Sequence, residues 1–231
     1  MRIPILILVP TLFLPQTASR PPDEEMLPRL SCRLCATKPV IDGILDEECW
    51  RKAEAATGFS LLDHRGKATQ QTRCMVAYDR KNLYIAFVCL ESDLEGIQTH
   101  CHVRDGPIWW DDCVEIFLDV HHTHSSYFHL IMNVDGTRFD EVGAVGRPHP
   151  NPASWNAAWK VATAVIPGGW SVEIALPFVT LGVSAPKPGA IWGFNAHRQE
   201  YRLIERSSWS ETSQSFHEPG NFGHLVFLPS L

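Results

Sequence analysis

The chain has no concentration of basic charge. Its 20 Lys and Arg residues stand against 26 Asp and Glu, a formal net charge of -6 over 231 residues. Phosphate backbones and anionic bilayer surfaces both call for a clustered positive face, so nucleic acid and membrane lipid are excluded as partners. Long hydrophobic runs are also scarce: beyond the stretch Ile3 to Leu14, nothing approaches the ~20 apolar residues of a membrane-spanning helix. Sustained helical periodicity is missing, which removes the crossover helices that a parallel sheet needs. No internal repeat is visible. Cys32 and Cys35 have the CxxC interval, but no second pair at zinc-ribbon spacing follows, and Ala36 to Gly43 leads away from a thioredoxin-type helix. A structural role follows for that pair.

What is present begins with an export signal. Arg2 supplies the charge, Ile3 to Leu14 the apolar run and Thr17-Ala18-Ser19 a small-residue cleavage site. The expectation is a signal peptide over residues 1–19, an N-terminal extension over 20–36, and one domain over 37–231. The product is then secreted, to the extracellular space or a periplasm, and is free of the membrane once cleaved. Seven cysteines in an exported chain point to disulfides with one thiol left over, and spacing alone fixes no connectivity. Cys74, Cys89 and Cys113 sit in strand-like runs, where a cysteine acts as a small buried apolar residue.

Strand and turn signals alternate almost to the C-terminus. Asp46 to Ala53 reads as a short helix with Asp46 as N-cap and Trp50 facing the core. Arg73–Tyr78 and Leu83–Cys89 flank Asp79 to Asn82 as a hairpin, with Leu83, Ile85, Phe87 and Cys89 on one face. Cys113 to Asp119 is a strand. Phe128, Leu130, Met132 and Val134 alternate with Tyr127, His129, Ile131 and Asn133, and Asp135-Gly136 reads as a two-residue turn. Val161, Thr163 and Val165 pair with Trp170, Val172, Ile174 and Leu176 across Pro167-Gly168-Gly169. Ile191 to Arg202 and Leu225 to Leu228 give the last strands. The fold class is all-β, an antiparallel β-sandwich with one or two short helices.

The stretch Ile108 to Asp119 carries the functional signal, because Trp109 and Trp110 adjoin Asp111, Asp112, Glu115 and Asp119. An indole face covers the C–H face of a pyranose ring, at roughly 25 cal/mol per Å² of apolar surface buried. Neighbouring acceptors then fix the hydroxyls. This combination points to carbohydrate binding. The competing expectation is that one indole plugs the core, and strand alternation gives the two rings different fates.

The ordered set Pro39 to Asp46, Trp50, Val76-Ala77-Tyr78-Asp79 with Leu83 to Phe87, Asp112-Cys113-Val114-Glu115-Ile116-Phe117, Gly169 to Pro177, Trp192-Gly193-Phe194-Asn195, Trp209-Ser210 and Phe222-Gly223 resembles family nine carbohydrate-binding modules. The resemblance spans Pro39 to Leu228. It implies a jelly-roll-like sandwich, a non-catalytic sugar-binding role serving carbohydrate catabolism, no required cofactor, and often structural calcium. In that family two aromatic side chains clamp a terminal sugar. The resemblance places Trp109 and Phe216 in those positions, Phe216 standing where tryptophan is usual. It places Glu115, Asn133 and His197 among the polar groups around the sugar, although His197 and Ile131 depart from the residue types expected there.

Trp110 joins the candidate binding set as the second indole, and Asp111 and Asp112 are the candidate calcium ligands. His121, His122, His124 and His129 read as a polar surface loop and strand start rather than a metal site. The partners expected are a glycan or oligosaccharide and a separate glycoside hydrolase. Two further classes compete. A glycoside hydrolase needs two carboxyls roughly 5 to 9.5 Å apart, and Asp112 with Glu115, or Glu115 with Glu173, are the pairs to nominate. A haem-binding sandwich of a redox system would draw on Met75, Met132 and His197.

Overall fold

The computed structural model describes residues 24–145 and 155–230. The expected signal peptide and the cleavage point near Arg20 lie outside the described residues. In chain order the elements are β1 (Arg29–Leu34), α1 (Glu48–Lys52), β2 (Ala55–Ala56), β3 (Ser60–Leu61), β4 (Thr72–Tyr78), β5 (Asn82–Leu90), β6 (Cys113–Asp119), β7 (Ser126–Asn133), β8 (Arg138–Ala144), β9 (Lys160–Ile166), β10 (Gly169–Pro177), β11 (Ile191–Glu200), β12 (Glu205–Ser208) and β13 (Gly223–Leu228). No described helix is long and apolar enough to cross a membrane.

The strands form one curled sheet in the order β8-β7-β6-β11-β13-β1-β4-β5-β10-β9, with β12 beside β11, β3 beside β12 and β2 beside β4. The curl brings the inner faces of its two halves together as a sandwich. Period-two alternation decides what meets there. Val114, Ile116 and Leu118 of β6, Leu130 and Met132 of β7 and Phe194 of β11 pack with Val76, Ile85, Phe87, Val172 and Ile174 of the other half. The alternate residues of β4, β5 and β10 face outwards, where Trp50 of α1 covers Met75, Ala77, Tyr84 and Ala86. The alternate residues of β6, β7 and β11 form the other outer face, which carries the site.

The expected hairpins form in register, with Tyr78 opposite Leu83, and Val165 opposite Trp170. Among the described residues all strand pairings are antiparallel except two: β1 runs parallel to both β13 and β4. Residues 29–34, read as part of an extension, therefore lie at the centre of the sheet. Their strand signal is short, since only Leu30 and Cys32 are fully buried, and a polar Pro-rich flank hides it.

Three local expectations are corrected. The N-cap of α1 is Glu47 rather than Asp46, and no side chain caps it. The β7–β8 connection is the four residues Val134 to Thr137 rather than a two-residue turn; the Asn133 carbonyl accepts from the amide of Gly136, whose φ of 77° suits only the permissive residue there. Trp109 and Trp110 lie in a 3-10 turn, Ile108–Trp110, not in a strand. Their divergent orientation comes from the turn and not from strand alternation.

Candidate functional site

A cleft of about 900 Å³ opens on the outer face of the β6/β7/β11 half. Its aromatic lining is Trp109, Trp110, Tyr201 and Phe216, and its polar lining includes Gln98, Glu115, His129, Gln199, Gln214 and Arg202. The 3-10 turn brings in both indoles, the turn after β11 brings Tyr201, and the loop between β12 and β13 brings Phe216. Trp110 is 65% exposed and Tyr201 47%. Trp109 is half-buried, its ring edge-on to Phe139 at 5.6 Å. Phe216 is only 7% exposed and rests on His197 with ring centroids 4.1 Å apart. The cleft thus offers two open rings, Trp110 and Tyr201, and two set back.

Beneath them lies a buried polar relay. His129 on β7 sits between Glu141 (Nδ1 to Oε1, 2.9 Å) and Glu115 (Nε2 to Oε2, 2.8 Å), while the Gln199 amide donates to Glu115 Oε1 at 2.7 Å. Strand pairing dictates this, since His129 stands opposite Glu141 and Gln199 lies two residues beyond His197, opposite Glu115. Burial pushes the Glu115 carboxyl up, but the His129 hydrogen bond and charge, with Gln199, outweigh it and hold it at about 2. Burial pushes His129 down, and its two carboxylate partners overcome that and hold it above the ordinary histidine value. The result is a charged, fully paired floor. Both oxygens of Glu115 are engaged, so its effect on a ligand passes through the orientation of Gln199.

Four of the six expected binding residues line this cleft: Trp109, Trp110, Glu115 and Phe216. Asn133 and His197 do not. Asn133 is fully buried and braces the loop before the indoles, donating to Cys101 O and Asp111 Oδ2 at 2.9 Å each. His197 is sealed beneath Phe216 with both ring nitrogens unpartnered, and burial takes it down to about 3. Tyr201 was missed. An aromatic in the polar turn Gln199 to Leu203 is its only sequence signal.

The calcium expectation divides. Asp111 does not fit, because Oδ1 accepts from the amide of His100 and Oδ2 from those of Cys101 and Asn133. Asp112 accepts the amides of Gln98 and Tyr201, and it also joins Glu91 and Glu200, whose carboxylate oxygens lie within 4.8 Å of one another. Burial holds Asp112 and Glu200 above the usual carboxylate range. Arg198 reaches Glu91 at 3.1 Å and Arg202 reaches Glu200 at 3.8 Å, so guanidinium charge already faces the cluster. His129, Glu141 and His217 form a second group of metal-ligand type. Both nitrogens of His129 are engaged by carboxylates there.

The competing chemistries lack converging groups. Asp112 and Glu115 are three residues apart, and their carboxyls serve the Gln98 loop and the His129 relay respectively. Glu173 lies on the opposite outer face, accepting from Trp50 Nε1 and the amides of Asp42 and Gly43. Met75 packs under α1, Met132 in the inner core, and His197 against Phe216, so no haem ligand set assembles.

No functionally curated protein matches the sequence. A family 9 carbohydrate-binding module from Caldicellulosiruptor kristjanssonii, solved with cellotriose, superposes with a TM-score of 0.66 at 18% identity, over 88% of this chain and 95% of that one. The same kind of module from that organism, solved with glucose, gives 0.65 at 18% identity, over 88% and 97%. The model of the carbohydrate family 9 binding domain-like family matches residues 41–228. The ordered motifs, the curled sandwich and this match together place the chain in the carbohydrate family 9 binding domain-like family.

Proposed function

We propose that the chain is a secreted, non-catalytic protein that takes a glycan end or oligosaccharide into the cleft of the β6/β7/β11 face. One observation carries this: an indole 65% open to solvent, Trp110, on the lining of a cleft that also holds Tyr201, Trp109 and a polar floor. The volume, about 900 Å³, is that of a ligand site for a few sugar rings. Sugars present C–H faces to aromatic rings and hydroxyls to amides, and Gln98, Gln199 and Gln214 supply amides that both donate and accept. The cellotriose and glucose complexes of the structural neighbours support this ligand class. The leader expected over residues 1–19 supports export. In this reading the chain needs no cofactor and holds polysaccharide for a separate glycoside hydrolase.

Calorimetry of the chain against soluble cello-, xylo- and other oligosaccharides tests it. Trp110→Ala should raise Kd by roughly 5- to 150-fold, the loss of about 1–3 kcal/mol expected for a stacking platform. Tyr201→Ala should have a smaller effect in the same direction. Unchanged binding in both variants would move the site elsewhere, and hydrolysis of the oligosaccharide would replace the binding role with an enzymatic one.

A further inference from the structure

We propose that Cys35 and Cys49 are a disulfide-forming pair that closes the loop between β1 and α1 when the protein meets an oxidising thiol–disulfide couple. All seven cysteines are free thiols in the structure. Cys35 and Cys49 are both half-buried, pack on the same outer cluster around Trp50 and Met75, and line one pocket of about 300 Å³. The two thiols lie close enough for each to perturb the other. The neighbouring Cys35 side chain holds the Cys49 thiol below its ordinary pKa, which makes Cys49 the attacking sulfur.

Two alternative pairings fail on geometry. Extended backbone continues past β1, since the Cys35 amide donates to Tyr78 O at 2.7 Å. Residues three apart on such a strand face opposite ways. Cys32 therefore points into the inner core while Cys35 points out, and the CxxC pair cannot close. Cys74 and Cys89 are diagonal neighbours, Cys74 standing opposite Phe87 and Cys89 opposite Thr72. Diagonal positions lie about 7–8 Å apart, beyond the usual disulfide span.

The chemistry balances with oxidised glutathione. The Cys49 thiolate attacks one sulfur of the reagent and releases a glutathione thiolate, leaving a mixed disulfide. Cys35 then loses its proton and attacks the Cys49 sulfur, releasing the second glutathione. Two protein thiols are oxidised and one reagent disulfide is reduced. The closed loop contains Asp42 and Gly43, whose amides bind Glu173, so the cross-link fixes the segment that covers this outer face.

The test is incubation of the full chain with oxidised glutathione, followed by denaturation, thiol counting and peptide mapping. The seven thiols should fall by two, the intact mass should drop by about 2 Da as two hydrogens are lost, and one linked peptide should join Cys35 to Cys49. The melting temperature should rise and return with dithiothreitol. Cys35→Ser and Cys49→Ser should each abolish both changes. Seven surviving thiols, a stable glutathione adduct on Cys49, or a link between any other pair would overturn the assignment.

Discussion

His197 shows how much a single residue's environment decides. It follows from the family resemblance as a contact for sugar, yet its ring is fully buried with no partner for either nitrogen. Its pKa of about 3 lies below the unfolded value of about 6.5. Between those values the unfolded chain takes up a proton that the folded chain refuses, so stability falls as pH drops through that window. Glu115 acts in the same direction between 4.5 and about 2. His129 has the opposite sign: its folded pKa is raised, so its contribution is complete below about 6.5 and is lost as pH rises through the folded value. Urea midpoints should therefore decline from pH 6 to pH 4. In His197→Leu, which removes two unpartnered nitrogens at similar volume, that decline should be shallower and the midpoint at pH 5 equal or higher. A steeper decline in the variant would refute this account. Sequence alone reveals that a histidine stands at this position, but its exposure depends on Phe216, which arrives from a distant loop.

Among the elements, α1 and the turn before it depend on one carboxylate of β10. Glu173 accepts from Trp50 Nε1 at 2.7 Å and from the amides of Asp42 and Gly43 at 3.0 and 2.8 Å. Replacing it with Ala strands three donors, and the expected loss is about 3 kcal/mol or more of unfolding free energy, with Glu173→Gln intermediate. Denaturant titration of both variants measures this, and equal stability would show that water replaces the carboxylate. Gly43 is the other weak point. Its φ is 89°, and a Cβ there would come within 2.7 Å of the Thr163 backbone, so Gly43→Ala should cost about 1–3 kcal/mol. The hairpins were legible in the sequence, because alternation and turn residues are local. The same Val-Glu-Ile pattern at Glu115 and Glu173 gave no sign that one lies under a cleft and the other under a helix. That difference is set by which segment packs across the sheet.

At the level of the whole molecule, β1 joins the two halves of the sandwich by parallel ladders to β13 and β4. A chain begun at residue 37, the expected start of the domain, should lose cooperative unfolding, while one begun at residue 27 should keep it. Two similar melting curves would show that the halves hold together without the strand. The acidic cluster of Glu91, Asp112 and Glu200 leads to a second expectation. Because Arg198 and Arg202 already face it, EDTA should leave the melting temperature unchanged, and a calcium-dependent rise would contradict that balance.

Of the eight tryptophans, seven are buried or half-buried, and Trp110 alone stands in water. The intrinsic fluorescence of the protein should consequently be a blue band with one red-shifted contributor. Any guest that covers this ring would move the spectrum without a label, and quenching by iodide would fall in proportion to occupancy.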